Sequence, residues 1–405
     1  MQRLICTICL MLGLAATSQA QSFTALYNFT GQSDGANPFA GVTLDQAGNF
    51  YGTTSTGGQK GFGNVYRMAH SGAGWTFYSL YSFQGLTELS QDGASPYARV
   101  IIGPDGALYG TTHSGGNGEG CRELHGCGTV FKLQPSLSGA WKETMIFQFG
   151  YYDGEDPYYG DLVFDPAGNI YGATRNGGAN LSGAVFELTP RNNNWVESVV
   201  YSFAGADGSA PLNGPVLDAS GNLYGTTSTG GANGLGAVYR LQPGSSGWTQ
   251  SVLHSFQGTG DGSTPASGIV LDQSGNVYGA TETAGAAGGG TAFELSSLSP
   301  GLWNINTLFG FRGAGFGGSY RTLTMDSAGN LYGTTAADGA HQRGSVFKLT
   351  HSNGTWTYTS LHDFTGGSDG AYPYGALSID ALGNIYGTAS AGGTSGYGVV
   401  FQITQ

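Results

Sequence analysis

Residues 214–227 read Gly-Pro-Val-Leu-Asp-Ala-Ser-Gly-Asn-Leu-Tyr-Gly-Thr-Thr (GPVLDASGNLYGTT). A short apolar run to Asp218, a turn through Gly221 and a second run Asn222 to Thr227 describe two short strands. The glycine-rich loop Ser228 to Gly236 leads to a third, Ala237 to Leu241, and a Pro-Gly-Ser turn leads to a fourth, Trp248 to Phe256. Helical periodicity is absent throughout, so the unit reads as a four-stranded antiparallel meander. Its core recurs with tyrosines at Tyr51, Tyr109, Tyr171, Tyr224, Tyr278, Tyr332 and Tyr386, spaced by 58, 62, 53, 54, 54 and 54 residues. Units of this size must stack to bury their apolar faces.

Two columns of the repeat carry structural expectations. Asp218 can cap its turn, and the same residue stands at Asp45, Asp165, Asp272, Asp326 and Asp380, while copy 2 has Gly103-Pro104-Asp105-Gly106 with Ala107 in place of Asn. A calcium site would need several oxygen ligands at alternate positions, and each copy has one. In the fourth strand a tryptophan precedes a phenylalanine by eight residues: Trp75/Phe83, Trp141/Phe149, Trp195/Phe203, Trp248/Phe256, Trp303/Phe311 and Trp356/Phe364. Strand alternation predicts both rings on one face, each covering a seam between sheets.

The ends set the architecture. The segment Phe23 to Phe29 matches a fourth strand, and the chain finishes at Val399 to Ile403, which matches a third. Donating the first segment to the last sheet closes a ring and removes its exposed edges. The expected fold is all-β: a seven-bladed β-propeller of four-stranded antiparallel blades over residues 21–405, closed by the N-terminal strand. Gln21 stands where the closing strand would need its tryptophan, so that seam is expected to be the weakest.

Residues 1–20 read as a signal peptide, with Arg3, the apolar Leu4 to Ala16, and small residues Ser18 and Ala20 before Gln21. The mature chain is therefore expected to be secreted or periplasmic, soluble and monomeric. A net charge of −12 with only 14 Lys+Arg argues against nucleic-acid and anionic-membrane partners. Glycine at 74 of 405 residues with 12% aromatics fits glycine turns joining aromatic strands, not collagen or a disordered linker.

Candidate functional residues lie on the face where the fourth strand returns to the next first strand. That connector carries Asp-Gly at Asp34, Asp92, Asp153, Asp207, Asp261 and Asp369, followed by Pro38, Pro96, Pro157, Pro211, Pro265 and Pro373, and copy 6 has the acid-free Gly313 to Tyr320. The acids either make the turn or form a ring able to bind a cation or a hydroxyl-rich ligand. Copies 2 and 3 are neighbours whose irregularities would form one patch: Tyr151, Tyr152, Glu155 and Asp156 beside a loop containing Cys121 and Cys127. Six residues apart in an exported chain, these cysteines are expected to form a disulfide, and no ligand set completes a zinc site around His125. No cofactor motif, metal motif or nucleophile elbow is present. A paired-carboxylate mechanism would draw first on Glu119, Glu123, Glu155 and Asp156. Catalysis would also demand asymmetry: an acid pair or a His–acid pair facing the channel across blades, without equivalents in other copies.

The unit, clearest in Asp218 to Thr227, Asp326 to Thr335 and Cys127 to Leu133, resembles the Gloeo/Verruco tandem repeats of exported bacterial proteins. The resemblance covers nearly all of residues 23–405. It implies export and a repeat structure, and brings no established activity or catalytic residues. Such repeats often stand beside a C-terminal surface anchor, and this chain, ending at Gln405, is expected to depart from that pattern. The expected function is a non-enzymatic binding or scaffold module for glycans or cell-surface proteins. The alternatives are an extracellular enzyme acting on polysaccharide or peptidoglycan, and a purely structural surface protein.

Overall fold

The computed structural model describes residues 21–405 apart from 73, 88–89, 122–125, 137–138, 193 and 313–321. Residues 1–20, read above as a signal peptide, and the copy 6 connector Gly313 to Tyr320 thus fall outside the described residues, as do Glu123 and His125.

Seven four-stranded antiparallel sheets form a ring. Blade 4 is representative: Val216–Leu217, Leu223–Thr227, Ala237–Gly244 and Gly247–Ser255 pair in chain order. Blade 7 takes three strands from the end of the chain and its fourth from the beginning, where Ser22–Asn28 runs antiparallel to Val399–Thr404, Phe23 opposite Ile403. The ring closes between blades 7 and 1 through a bridge of Gly41 with Ala376 and a hydrogen bond from Ser378 Oγ to the Val42 carbonyl at 2.6 Å.

The first strands are innermost. Residues of six blades, among them Leu44, Ile101, Val216, Val270, Met325 and Ile379, surround a central cavity of about 520 Å³. The second strands are fully buried in every blade, which is why Tyr-Gly-Thr-Thr is so uniform. A Cβ added at Gly225 would lie 2.4 Å from the Tyr239 hydroxyl, so the glycine is required by the ring that crosses it.

Seven apolar clusters occupy the seven seams between blades. The tryptophans lie in six of them, 6.4 Å from Tyr51 for Trp141, 6.2 Å from Tyr109 for Trp195, and 6.0 Å from Tyr171 for Trp248. Trp75 stacks on Phe50 at 4.1 Å, Trp303 packs in the blade 4–5 cluster and Trp356 lies 6.2 Å from Tyr278. At the blade 6–7 seam, which has no tryptophan, Phe23 stacks on His362 at 3.9 Å.

The expectation that each Trp and its Phe share a strand face is corrected. Between them the fourth strand carries a β-bulge, at Leu80 in blade 1 and at the same place in every other blade. One extra residue reverses the alternation. Trp75 therefore packs in the blade 7–1 seam and Phe83 in the blade 1–2 seam, where it meets Phe131 at 5.1 Å. Each outer strand thereby seals two seams.

The turn aspartates are fully engaged. Asp218 accepts bonds from the backbone of Ser220 and Asn222 and from Asn222 Nδ2, all at 2.8 Å, and Asp45, Asp165, Asp272, Asp326 and Asp380 repeat the pattern. Burial works against ionisation of Asp45, Asp218, Asp326 and Asp380, but these bonds outweigh it and hold their carboxyls below the usual range. Two outer-strand acids behave oppositely: burial, and then Asp92, pushes Glu143 up to about 8, while burial, and then Asp153, pushes Glu197 up to about 7. Depressed carboxyls contribute stability that is lost as pH falls through their folded pKa. Raised ones make the native state bind more protons than the unfolded chain, so stability falls as pH climbs from about 4.5 toward 8. Thermal unfolding measured between pH 3 and 9 is thus expected to show its maximum on the acid side of neutrality. Glu143→Gln with Glu197→Gln should flatten the alkaline limb alone. An unchanged limb would show that these two acids titrate normally.

Candidate functional site at the channel mouth

The connector face is built on a clamp that repeats in the six described connectors. The residue before each connector proline has positive φ: Asn37, Ser95, Asp156, Ala210, Thr264 and Tyr372, between 54° and 58°. Its N–H donates to the loop of the preceding blade, as Asp156 does to the Cys127 carbonyl, and its carbonyl accepts from the residue just past the second strand of its own blade, as Asp156 does from Arg175. A left-handed conformation there is costly for the β-branched Thr264, and the two bonds at the seam hold it. The following proline packs tightly on the preceding blade: a Cβ at Gly236 would come within 2.4 Å of Pro265 Cδ.

This frame sets two columns of side chains around the mouth of the central channel. The position after the second strand holds Ser55, His113, Arg175, Ser228, Glu282, Ala336 and Ser390, and the position after the proline holds Phe39, Tyr97, Tyr158, Leu212, Ala266 and Tyr374. The repeat constrains the backbone at these places and leaves the side chains free to differ.

The aromatic members meet. Tyr374 lies 5.4 Å from Phe39, Phe39 5.4 Å from Tyr97, and Tyr97 5.1 Å from Tyr158, whose neighbour Tyr159 is 3.9 Å away. This arc of half-buried rings crosses blades 7, 1, 2 and 3. His113 packs edge-on against both Tyr97 and Tyr158, at 5.5 and 5.0 Å. Its Nδ1 meets Ser114 Oγ at 2.8 Å, and its Nε2 lies 3.8 Å from the Asp156 carboxylate, whose other oxygen accepts from Asn176 at 2.7 Å. Arg175 stands over the Tyr158 ring at 5.6 Å. Beside the arc, Arg99 grips Asp161 through Nε at 2.7 Å and Nη2 at 2.5 Å, joining blades 2 and 3 and lining the channel. Burial, then Tyr158, raises the Tyr97 phenol, and burial, then Tyr372, Glu282 and Tyr158, raises that of Tyr374. Both phenols remain protonated donors at neutral pH.

The connector acids sit elsewhere. Asp34 accepts from Tyr27 OH and the Thr30 backbone, Asp92 from Tyr81 OH, Asp207 from Tyr201 OH, Asp261 from His254 and Asp369 from His362, so these five tie the connector to the end of the outer strand. Asp153 accepts from the Gly150 backbone at 3.1 Å. In the irregular patch, the Tyr151 N–H donates to the Glu119 carbonyl, Tyr152 is exposed and meets Tyr151 edge-on at 5.6 Å, and Glu155 pairs with Asn176 through the backbone. Cys121 and Cys127 form a disulfide in the loop whose Cys127 carbonyl receives Asp156. Of the sequence-derived candidates, Asp156 is the one whose side chain meets the aromatic arc through His113. Phe39, Tyr97, His113, Tyr158, Arg175 and Tyr374 were missed, although aligning the copies on the connector proline and on the Thr-Thr pair would have exposed both variable columns. Among the described residues no group of three or more His, Cys, Asp or Glu could hold a metal ion, and no helix is long and apolar enough to cross a membrane.

The profile of the Gloeobacter/Verrucomicrobia repeat matches residues 15–216, 120–314 and 211–405. This chain belongs to the Gloeobacter/Verrucomicrobia repeat family. No curated protein matches it in sequence. Among solved structures, this Gloeobacter/Verrucomicrobia repeat protein is similar to an ulvan lyase of polysaccharide lyase family PL25, at 12% identity and a TM-score of 0.55, covering 91% of this chain and 93% of that one. It is also similar to an ancestral GH74 enzyme, at 11% identity and a TM-score of 0.56, covering 91% of this chain and 48% of that one. A protein of unknown function from Dyadobacter fermentans has 12% identity and a TM-score of 0.48, covering 84% and 96%. At these identities the likeness is one of fold.

Proposed function

We propose that this propeller acts on an extracellular polysaccharide laid across the mouth of its central channel. The observation that carries the reading is the continuous arc of Tyr374, Phe39, Tyr97 and Tyr158. Aromatic faces present apolar area to sugar rings while phenols and nearby polar groups bond the hydroxyls. Between the enzyme and the passive scaffold, the break in repeat symmetry supports the enzyme: a His–acid pair, His113 with Asp156, joins blades 2 and 3 beside the arc. An imidazole held by the Ser114 hydroxyl and facing a carboxylate is a side chain suited to proton transfer. The shared fold with two carbohydrate-active enzymes supports the same substrate class. Export by way of residues 1–20 belongs to the proposal.

A glycan panel with size analysis of every bound polymer tests it. Binding and shortening of a polysaccharide are expected, with binding weakened roughly tenfold or more by Tyr97→Ala plus Tyr158→Ala, while the unfolding midpoint holds within a few degrees. Binding that the double variant leaves intact would move the site away from the mouth. Polymers bound but left whole would return the protein to the scaffold reading.

A further inference from the structure

We propose that the blade 2–3 sector of the mouth is a subsite for an anionic sugar residue, its carboxylate or sulfate held by Arg175 and His113 and its ring flanked by Tyr97 and Tyr158. The inference rests on the polysaccharide reading above and names its substrate class.

Charge is distributed unevenly around the mouth. In the column after the second strand, cationic or potentially cationic residues occur in adjacent copies only, His113 and Arg175, and the one acid, Glu282, belongs to blade 5. Of two other guanidiniums near this face, Arg99 is neutralised by Asp161, while Arg343 also stands over a tyrosine ring, that of Tyr372, and bonds the same residue's hydroxyl. Arg175 makes no such side-chain bond: it is exposed, its guanidinium carbon lies over the Tyr158 ring at 5.6 Å, and among the described residues no carboxylate lies within salt-bridge distance of it. A guanidinium supported on an aromatic face has its rotamers restricted and its edge donors still available, the arrangement that grips a carboxylate or sulfate with two parallel bonds.

The geometry brings three recognition elements into one place. Tyr97 and Tyr158 are 5.1 Å apart, His113 touches both rings, and Arg175 covers the second. Asp156 faces His113 from the connector at 3.8 Å, and Asn176 shares that carboxylate. The formal charge of −12 opposes an acidic polymer as a whole. At physiological salt the screening length is about 8 Å, so distant acids are damped while contacts at Arg175 persist.

Titration calorimetry on the intact mature chain tests the proposal with three probes: a neutral cello-oligosaccharide, an oligogalacturonate and a sulfated galactan oligomer. At least one acidic probe is expected to bind tighter than the neutral one. Arg175→Gln should weaken that acidic probe by tenfold or more, leaving the unfolding midpoint and neutral binding unchanged, and His113→Gln should weaken it less. Which acidic probe responds tells carboxylate from sulfate. Neutral and acidic probes binding equally, no acidic probe binding, or an Arg175→Gln variant indistinguishable from the parent would each overturn the subsite. If Tyr97→Ala weakens every probe in that last case, the mouth reading survives and the anionic subsite alone fails. If Tyr97→Ala weakens none, the mouth reading fails with it.

Discussion

A chain lacking Ser22–Asn28 unfolds far below the temperature of the full domain. The deleted strand carries Phe23 into the blade 6–7 cluster and Leu26 and Tyr27 into the blade 7–1 cluster, next to the fully buried Phe29. Full burial of a large apolar side chain is worth about 1.5–3 kcal/mol, so these three partly buried ones together contribute roughly 3–6 kcal/mol, a large part of the net stability of many domains. The deletion also strips Val399–Thr404 of its outer partner and leaves an open sheet edge on the rim of blade 7. Calorimetry should show a midpoint lower by more than about 10 °C, and light scattering should show association through the new edge. Shortening the solvent-facing hairpin at Pro243–Gly247 by two residues is the control and should shift the midpoint by only a few degrees. Equal losses from both changes would refute closure by the N-terminal strand as a source of stability.

Trp248→Ala is expected to cost about 2–4 kcal/mol. The ring belongs to the blade 3–4 cluster and lies 6.0 Å from Tyr171, and truncation removes contact area from both blades at once. Val252→Ala on the same strand, where the side chain is exposed, should stay within about 0.5 kcal/mol. Denaturant titration of the two variants separates these outcomes, since a change in midpoint without a change in slope isolates stability. The same substitution at Trp141, Trp195, Trp303 or Trp356 should cost a similar amount, because the seam geometry repeats. Trp75→Ala should cost more, since that ring also stacks on Phe50. A negligible effect at Trp248 would mean that the seams are held by the inner strands alone.

The architecture was legible because a repeat is read many times over. Seven tyrosines at nearly fixed spacing, four strand signals per unit and a fourth strand displaced to the N-terminus determine seven sheets and their closure, since only a ring satisfies both ends. The turn aspartates were legible for a local reason: Asp218 reaches partners only two and four residues away, and such contacts travel with the sequence. The bulge at Leu80 was not. It depends on how the outer strand registers against its neighbour, and a one-residue shift there sent Trp75 and Phe83 into different seams despite their even spacing. The mouth was hidden for a related reason. Phe39, Tyr97, Tyr158 and Tyr374 are 58, 61 and 216 residues apart along the chain, and each is an unremarkable substitution in its own copy. Ring closure places copy 7 beside copy 1, and the clamp before each proline directs one variable side chain per blade toward a common axis. The sequence by itself determined the repeating unit, its number and its closure, because these rest on local periodicity. Tertiary structure alone decided which non-repeating residues face one another, because that depends on contacts between blades that no single copy encodes.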